Sequence, residues 1–491
     1  MNYAIVLKLQ SAILATLAGA FALCIGIAWK FDHESTSHIA LNGFIISCSA
    51  SAALSLGCFL IGKKADSNLY NKEALAVIGV GWLLASGMGA LPYLLIIPEI
   101  SFAGAFFESA SGLTTTGASV LSDLERLPYS LHFWRCISQW IGGLGVVVFF
   151  VALLGSLGTG AKILFSRESS AQVADLEATR IQQGVLKLVQ IYLLLSGSCF
   201  LVYWGCGLSP FDALMHMFTT LSTGGFSTRS ASLLAYHNPT LEWAAIVFMA
   251  LGGTSFLLLS DCLKGKFSKL RKSTEFKAYS LIILVSSTLI VGFLYLGDTG
   301  AESILTNIRL ATFQVVSIMT TTGFATADFN QWLPVTHVLL LTLMFVGGCS
   351  GSTAGGAKVI RWVVWTKSSL HNIEKAYRTQ VVRPMRINAK SLQLSEIESI
   401  SAYLILLVLV FMLGVLLMAF FEPSLSFPGI VSGVAACLFN IGPGFAELGP
   451  THNFAGLHEH TKVFLSVFMI MGRLELFAIL VLFFPALWKR Y

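Results

Sequence analysis

Four times along the chain, a short apolar segment of about a dozen residues runs into a glycine loop between two apolar segments long enough to cross a bilayer. The short segments and their loops read SFAGAFFESASGLTTTGAS from 101, SPFDALMHMFTTLSTGGFST from 209, ESILTNIRLATFQVVSIMTTTGFAT from 302 and SFPGIVSGVAACLFNIGPGFAE from 426. A dozen apolar residues suit a re-entrant half-span and fall short of a full crossing. Aligned on Gly117, Gly225, Gly323 and Gly444, the copies recur at intervals of roughly a hundred residues, the signature of an internal repeat. One TTTG is explained by close helix packing in membranes, but four copies in register describe one structural unit used four times.

The flanking spans fall at 4–29, 39–62, 73–97, 131–158, 186–207, 241–263, 278–297, 334–366, 398–421 and 462–488. With 55% hydrophobic and 11% charged residues, the chain reads as a polytopic membrane protein. Its first span is too long for a signal-peptide core and is expected to be a retained helix. The net charge of +6 reflects topology: Lys and Arg concentrate in alternate connections, at 62–75, 162–187, 264–277 and 358–390, and at the C-terminus. This places both termini in the cytoplasm. Nine cysteines, mostly within or at the ends of apolar segments, imply neither a disulfide framework nor a CxxC metal site. The expected architecture is all-α: a helix pair at 1–66, then helix–pore-helix–helix repeats at 67–170, 171–270, 271–392 and 393–491, set pseudo-fourfold around a central pathway.

Irregular backbone at membrane depth survives only where it is buried in protein or lines a cavity. Four such loops around one axis would present a ring of carbonyl oxygens, with threonine hydroxyls adding oxygens or bracing the wall. The partly negative C-terminal ends of the half-helices would point at the loops. Such a ring attracts a cation and replaces its hydration shell. Past the loops, IGGLG, LGGTS, VGGCS and MGRLE recur in the following helices, so that Gly143, Gly253 and Gly348 match Arg473. An arginine inside an apolar helix has two readings, a charge projecting into the pathway or a buried ion pair with a carboxylate such as Glu108. The glycine-dense stretch 347–356 is either a movable break or a static kink.

These loops, with WIGGLGVVVF at 140–149, GGCSGSTAGGAK at 347–358, NIGPGF at 440–445 and MGRLELF at 471–477, resemble the Trk/Ktr/HKT superfamily of potassium transporters. Within it, the chain is most similar to the membrane subunits of bacterial Trk systems. The resemblance implies a K+ filter of Thr114, Thr115, Thr116, Gly117 and Ala118; Ser222, Thr223, Gly224, Gly225 and Phe226; Thr320, Thr321, Thr322, Gly323 and Phe324; and Ile441, Gly442, Pro443, Gly444 and Phe445. It also implies a gate of Gly347, Gly348, Ser350, Gly351, Ser352, Thr353, Gly355, Gly356 and Lys358 beneath the filter, together with Arg473.

By the same resemblance the chain is a homodimer in the bacterial inner membrane, paired with a cytosolic TrkA-like nucleotide-binding ring. K+ is its cargo and it holds no organic cofactor. No GxSxG, nucleotide-binding GxGxxG or nucleophile–base pair is present, so neither an enzyme nor a nucleotide site is expected in this chain. His452, His458, Glu459 and His460 read as an outward loop and not a metal centre. A sodium-coupled Ktr-like transporter and a non-transporting sensor or scaffold remain the alternatives. The topology is checked on a cysteine-free background: in intact cells, an impermeant thiol reagent labels Asn453→Cys, and it labels Arg271→Cys only after permeabilisation.

Overall fold

The structure, a computed structural model, describes residues 1–32, 34–63, 71–154, 178–297, 300–301, 303–378, 385–388 and 390–488. The inner segment expected from 162 lies outside these residues as far as 177, as do the expected repeat boundaries at 66–67 and 170–171. Helices α1 (Tyr3–Phe31) and α2 (Glu34–Gly62) form the N-terminal hairpin. Each following unit has an entry helix, a short helix and an exit helix. In order these are α3 (Asn71–Ile96), α4 (Phe102–Leu113) and α5 (Tyr129–Leu154), then α6 (Ala178–Gly205), α7 (Pro210–Leu221) and α8 (Pro239–Gly252) continued by α9 (Phe256–Leu263). After the basic turn α10 (Phe267–Lys272) come α11 (Thr274–Leu296), α12 (Ile304–Met319) and α13 (Pro334–Val346), with α14 (Val359–Tyr377) beyond a break. The last unit is α15 (Leu394–Phe421), α16 (Phe427–Leu438) and α17 (Glu459–Arg473), followed by α18 (Phe477–Leu480) and α19 (Pro485–Trp488). A two-residue antiparallel pairing, Arg386 opposite Ser391 and Ile387 opposite Lys390, is the only strand pairing among the described residues.

Local chemistry starts the short helices. Ser101, Ser209 and Ser426 each accept a hydrogen bond from a first-turn amide, that of Gly104, Asp212 and Gly429, while Pro210 and Pro428 occupy the turn where no amide donor is needed. Tight packing then seats each short helix against its exit helix. A Cβ on Gly142 would lie 1.9 Å from the Leu113 carbonyl oxygen, and one on Gly472 would lie 1.8 Å from that of Leu438. Only a missing side chain lets exit helix and short-helix terminus approach this closely. The hairpin joins the first unit through Trp134, whose ring lies 4.6 Å from Phe21 and whose indole nitrogen donates to the Gly89 carbonyl. The fourth unit returns to the first where Gly79 abuts the Ala478 carbonyl.

Among the described residues, six uninterrupted helices are long and apolar enough to cross a membrane. The expected continuous spans at 241–263, 334–366 and 462–488 are corrected: α8 and α9 meet at a 104° bend, α17 and the 477–483 segment at 119°, and a loop separates α13 from α14. The physical reason is backbone exchange. Ending α8 at Gly252 frees the Gly253 carbonyl to accept from Cys349 N at 2.8 Å, while Phe256 N donates to the Gly351 carbonyl at 3.0 Å. One broken helix thereby pairs the backbone of another, which hydrocarbon could not do. Gly142→Ala and Gly472→Ala should each cost about 1–3 kcal/mol through overpacking. Thermal unfolding in detergent should report both losses, with Gly57→Ala, whose Cβ meets nothing within 4 Å, unchanged as the control.

Candidate functional site

Each short helix ends in the same backbone turn. Thr114, Ser222, Thr320 and Phe439 are its terminal caps, and the third residue beyond the helix donates back to it: Thr116 to Ser111, Gly224 to Thr219, Thr322 to Ser317 and Ile441 to Ala436, at 2.8–2.9 Å. Between them, Thr115, Thr223, Thr321 and Asn440 have φ of 56°, 53°, 57° and 57°, and then Gly117, Gly225, Gly323 and Gly442 have 85°, 76°, 80° and 105°. A β-branched residue at positive φ stores about 1–3 kcal/mol of strain and is held there only by its surroundings. Repeated three times with threonine, this is a specified conformation.

The four turns touch in sequence and close on themselves. Cβ atoms on Gly117, Gly225 and Gly323 would lie 2.2, 1.9 and 1.9 Å from the carbonyl oxygens of Gly224, Thr322 and Ile441, and one on Gly442 would lie 3.0 Å from that of Thr116. These four glycines line one open vestibule with Ser119, Ser227, Asn453 and Phe454. The fourth turn is therefore offset by two residues from the alignment on Gly444: its equivalent positions are Phe439, Asn440, Ile441, Gly442 and Pro443. Gly444 and Phe445 fold back instead, donating their amides to the Leu448 carbonyl and the Ser432 hydroxyl. Asn440 was legible as an αL position, since asparagine tolerates that conformation best among non-glycine residues.

Behind the ring, Glu108 and Arg135 form an ion pair at 2.9 Å with side chains 0% and 1% exposed. Glu108 also accepts from Ser119 and the Val120 amide, while Arg135 donates to the Ser227 carbonyl and lies over the Phe226 ring. One pair thus clamps the loops of the first two units. The partner suggested for Arg473 in the ion-pair reading is committed to Arg135. His216 braces its own loop through the Ser227 hydroxyl at 2.9 Å, but the Gln314 amide finds no hydrogen-bond partner.

Beneath the ring, residues 347–358 pass under the second, third and fourth units. Thr353 donates its hydroxyl to the carbonyls of Leu221 and Gly252, the Gly355 amide donates to the Thr321 hydroxyl at 2.7 Å, and a Cβ on Gly355 would lie 2.6 Å from the Phe439 carbonyl. Ser350 N donates to Glu275 Oε1, Ser352 donates to the Cys349 carbonyl, and Lys358 reaches back to the Ala354 carbonyl. Gly347 and Gly356 lie against each other, with Gly348 against Ala354. Arg473 completes the crossing by donating to the Thr353 carbonyl at 2.7 Å and the Gly142 carbonyl at 3.1 Å. Glu475, two residues on, pairs with Arg361 at 2.6 Å.

Glu108→Gln should leave Arg135 buried without its counter-charge and cost about 3–5 kcal/mol. The double variant E108Q/R135Q should recover part of that loss in the same unfolding measurement.

The sequence model of the TrkH family, described as cation transport protein, matches residues 37–490. The Trk system potassium uptake protein TrkH of Salmonella typhimurium is 34% identical over 445 residues, covering 89% of this chain and 90% of that one. TrkI of Halomonas elongata, also a Trk system potassium uptake protein, is 35% identical over 416 residues, covering 84% and 83%. The crystal structure of the potassium transporter TrkH from Vibrio parahaemolyticus superposes with a TM-score of 0.88 at 29% identity, covering 100% of both chains. The ring, the loop beneath it and these likenesses over nearly the whole length together place the chain in the TrkH family of cation transport proteins.

Proposed function

We propose that this chain is the ion-conducting membrane subunit of a potassium uptake system, with the four turns as its filter and residues 347–358 and Arg473 as its gate. The observation that carries the reading is the closed ring: four backbone turns, each seated on the next, above a loop bonded to the second, third and fourth units and linked to the first through Arg473. A ring of oxygens that replaces water suits a cation stripped of its shell. In this reading K+ is the cargo, and the filter comprises Thr114–Ala118, Ser222–Phe226, Thr320–Phe324 and, by backbone equivalence, Phe439–Pro443.

Arg473 supplies the barrier. A monovalent cation passing about 5 Å from its guanidinium meets about 3 kcal/mol of repulsion at an effective dielectric constant near 20. The same guanidinium fastens the gate loop to α5, so charge and blockage are set by one side chain. The four-unit division, a homodimer in a bacterial inner membrane with cytoplasmic termini, and a nucleotide-binding cytosolic partner of the TrkA type on the basic inner segments belong to this reading. The curated relatives, named as parts of a Trk system, support such an assembly.

The test is flux in proteoliposomes. The protein should carry K+ with no Na+ present, and Arg473→Ala should raise the rate by up to about a hundredfold, the kinetic equivalent of the repulsion removed. K+ flux only with added Na+ would favour the sodium-coupled alternative, and no flux at all the sensor. An unchanged rate in Arg473→Ala would remove the arginine from the gate.

A further inference from the structure

In the exit helices, the residue three before the first glycine of the IGGLG, LGGTS, VGGCS and MGRLE motifs (Gly142, Gly252, Gly347 and Gly472) is Gln139, Met249, Met344 or Met469. All four are fully buried. A glutamine at a position that is otherwise methionine must place a polar amide in an apolar slot, which is costly unless both of its ends are bonded. Here both are. Gln139 Nε2 donates to the Gly224 carbonyl at 2.7 Å, and its Oε1 accepts from the Phe226 amide at 3.1 Å. The side chain from the first unit therefore grips the second unit's turn on either side of Gly225.

The gripped turn is itself the odd one. At the third position of the turn stand Thr116, Gly224, Thr322 and Ile441. In the first and third units the threonine hydroxyl bonds to the threonine two residues earlier, Thr114 at 2.7 Å and Thr320 at 2.8 Å. In the fourth, Asn440 donates to the Met469 carbonyl and to Thr116. The second unit has no side chain to make such a brace, and its absence is what admits the glutamine: a Cβ on Gly224 would lie 2.4 Å from the amide carbon of Gln139. Two departures from the repeat, a missing side chain in one unit and an amide in another, fit each other.

We infer that Gln139 is a positioning residue for ion selection, fixing the Gly224 carbonyl in the ring where the other units rely on braces of their own. This rests on the filter reading above. With the grip removed, the Gly224 carbonyl gains freedom to close around a smaller ion. The discrimination between K+ and Na+ then falls while the fold, held by the Arg135–Glu108 clamp, persists.

The experiment measures K+ and Na+ fluxes separately in proteoliposomes for the wild type, Gln139→Met, Gln139→Glu and the double variant Q139M/G224T. Gln139→Met copies the side chain of the other three units, and Gln139→Glu keeps the shape but removes the donor to Gly224 when ionised. Both should raise the Na+/K+ flux ratio about fivefold or more, with thermal unfolding of Gln139→Met close to wild type and that of Gln139→Glu lowered by the buried charge. The double variant gives the second unit the hydroxyl of the first and third, and should return the ratio toward wild type. An unchanged ratio in folded Gln139→Met and Gln139→Glu overturns the inference, as does a rise that the double variant leaves in place. A wild type that carries no cation sinks the filter reading itself, an outcome separate from either.

Discussion

Backbone amides and carbonyls at bilayer depth have no water to turn to, and this constraint organises the molecule. Every irregular segment near the ring is bonded to another segment that is also irregular, or to the end of a helix. The four turns hydrogen-bond back to their own short helices and seat their glycines against the next turn's carbonyl. The crossing loop takes its partners from helices that stop where it passes, so the breaks at Gly253 and in the loop after Val346 are two halves of one arrangement. Arg473 fits the same logic. Its guanidinium is satisfied by the carbonyls of Thr353 and Gly142.

Fourfold backbone symmetry is kept by three different sets of side-chain contacts. Hydroxyl pairs serve two turns, an asparagine serves another, and a glutamine from a neighbouring unit serves the one that has glycine at its third position. The Arg135–Glu108 pair adds a strong link between the first and second units. The fourth turn instead anchors its far side through Ser432 and Leu448. Equal geometry is thus reached by unequal means, as expected when the side chains of repeated units diverge around a backbone turn that all of them keep.

Much of this was legible in the sequence. Span length and apolar content located the helices, because crossing hydrocarbon demands both, and the repeated TTTG phrase with its STGG variant located three of the four turns. The fourth was misplaced by two residues since NIGPGF offers two glycines, and only the backbone angles distinguish Gly442, at positive φ on the ring, from Gly444 behind it. The bends after Gly252 and Arg473 were hidden because apolar residues continue on both sides: composition reports the surroundings of a helix and not the direction of its axis. Arg473 was recognised as exceptional, but its partners are main-chain oxygens, which carry no side-chain signature. Gln139 stood in plain view three residues before Gly142, without meaning until the Gly224 carbonyl was found against it.

The exit helix of the first unit, α5, is the single one that runs without interruption through its described length. An aperture widening like an iris would need four alike hinges, and here one of the four exit helices is unbroken. In the gating proposed above, Arg473 is hooked to the Gly142 carbonyl on that helix, so clearing the path would be a sideways withdrawal, with the bar drawn from this jamb toward the three units whose axes already turn.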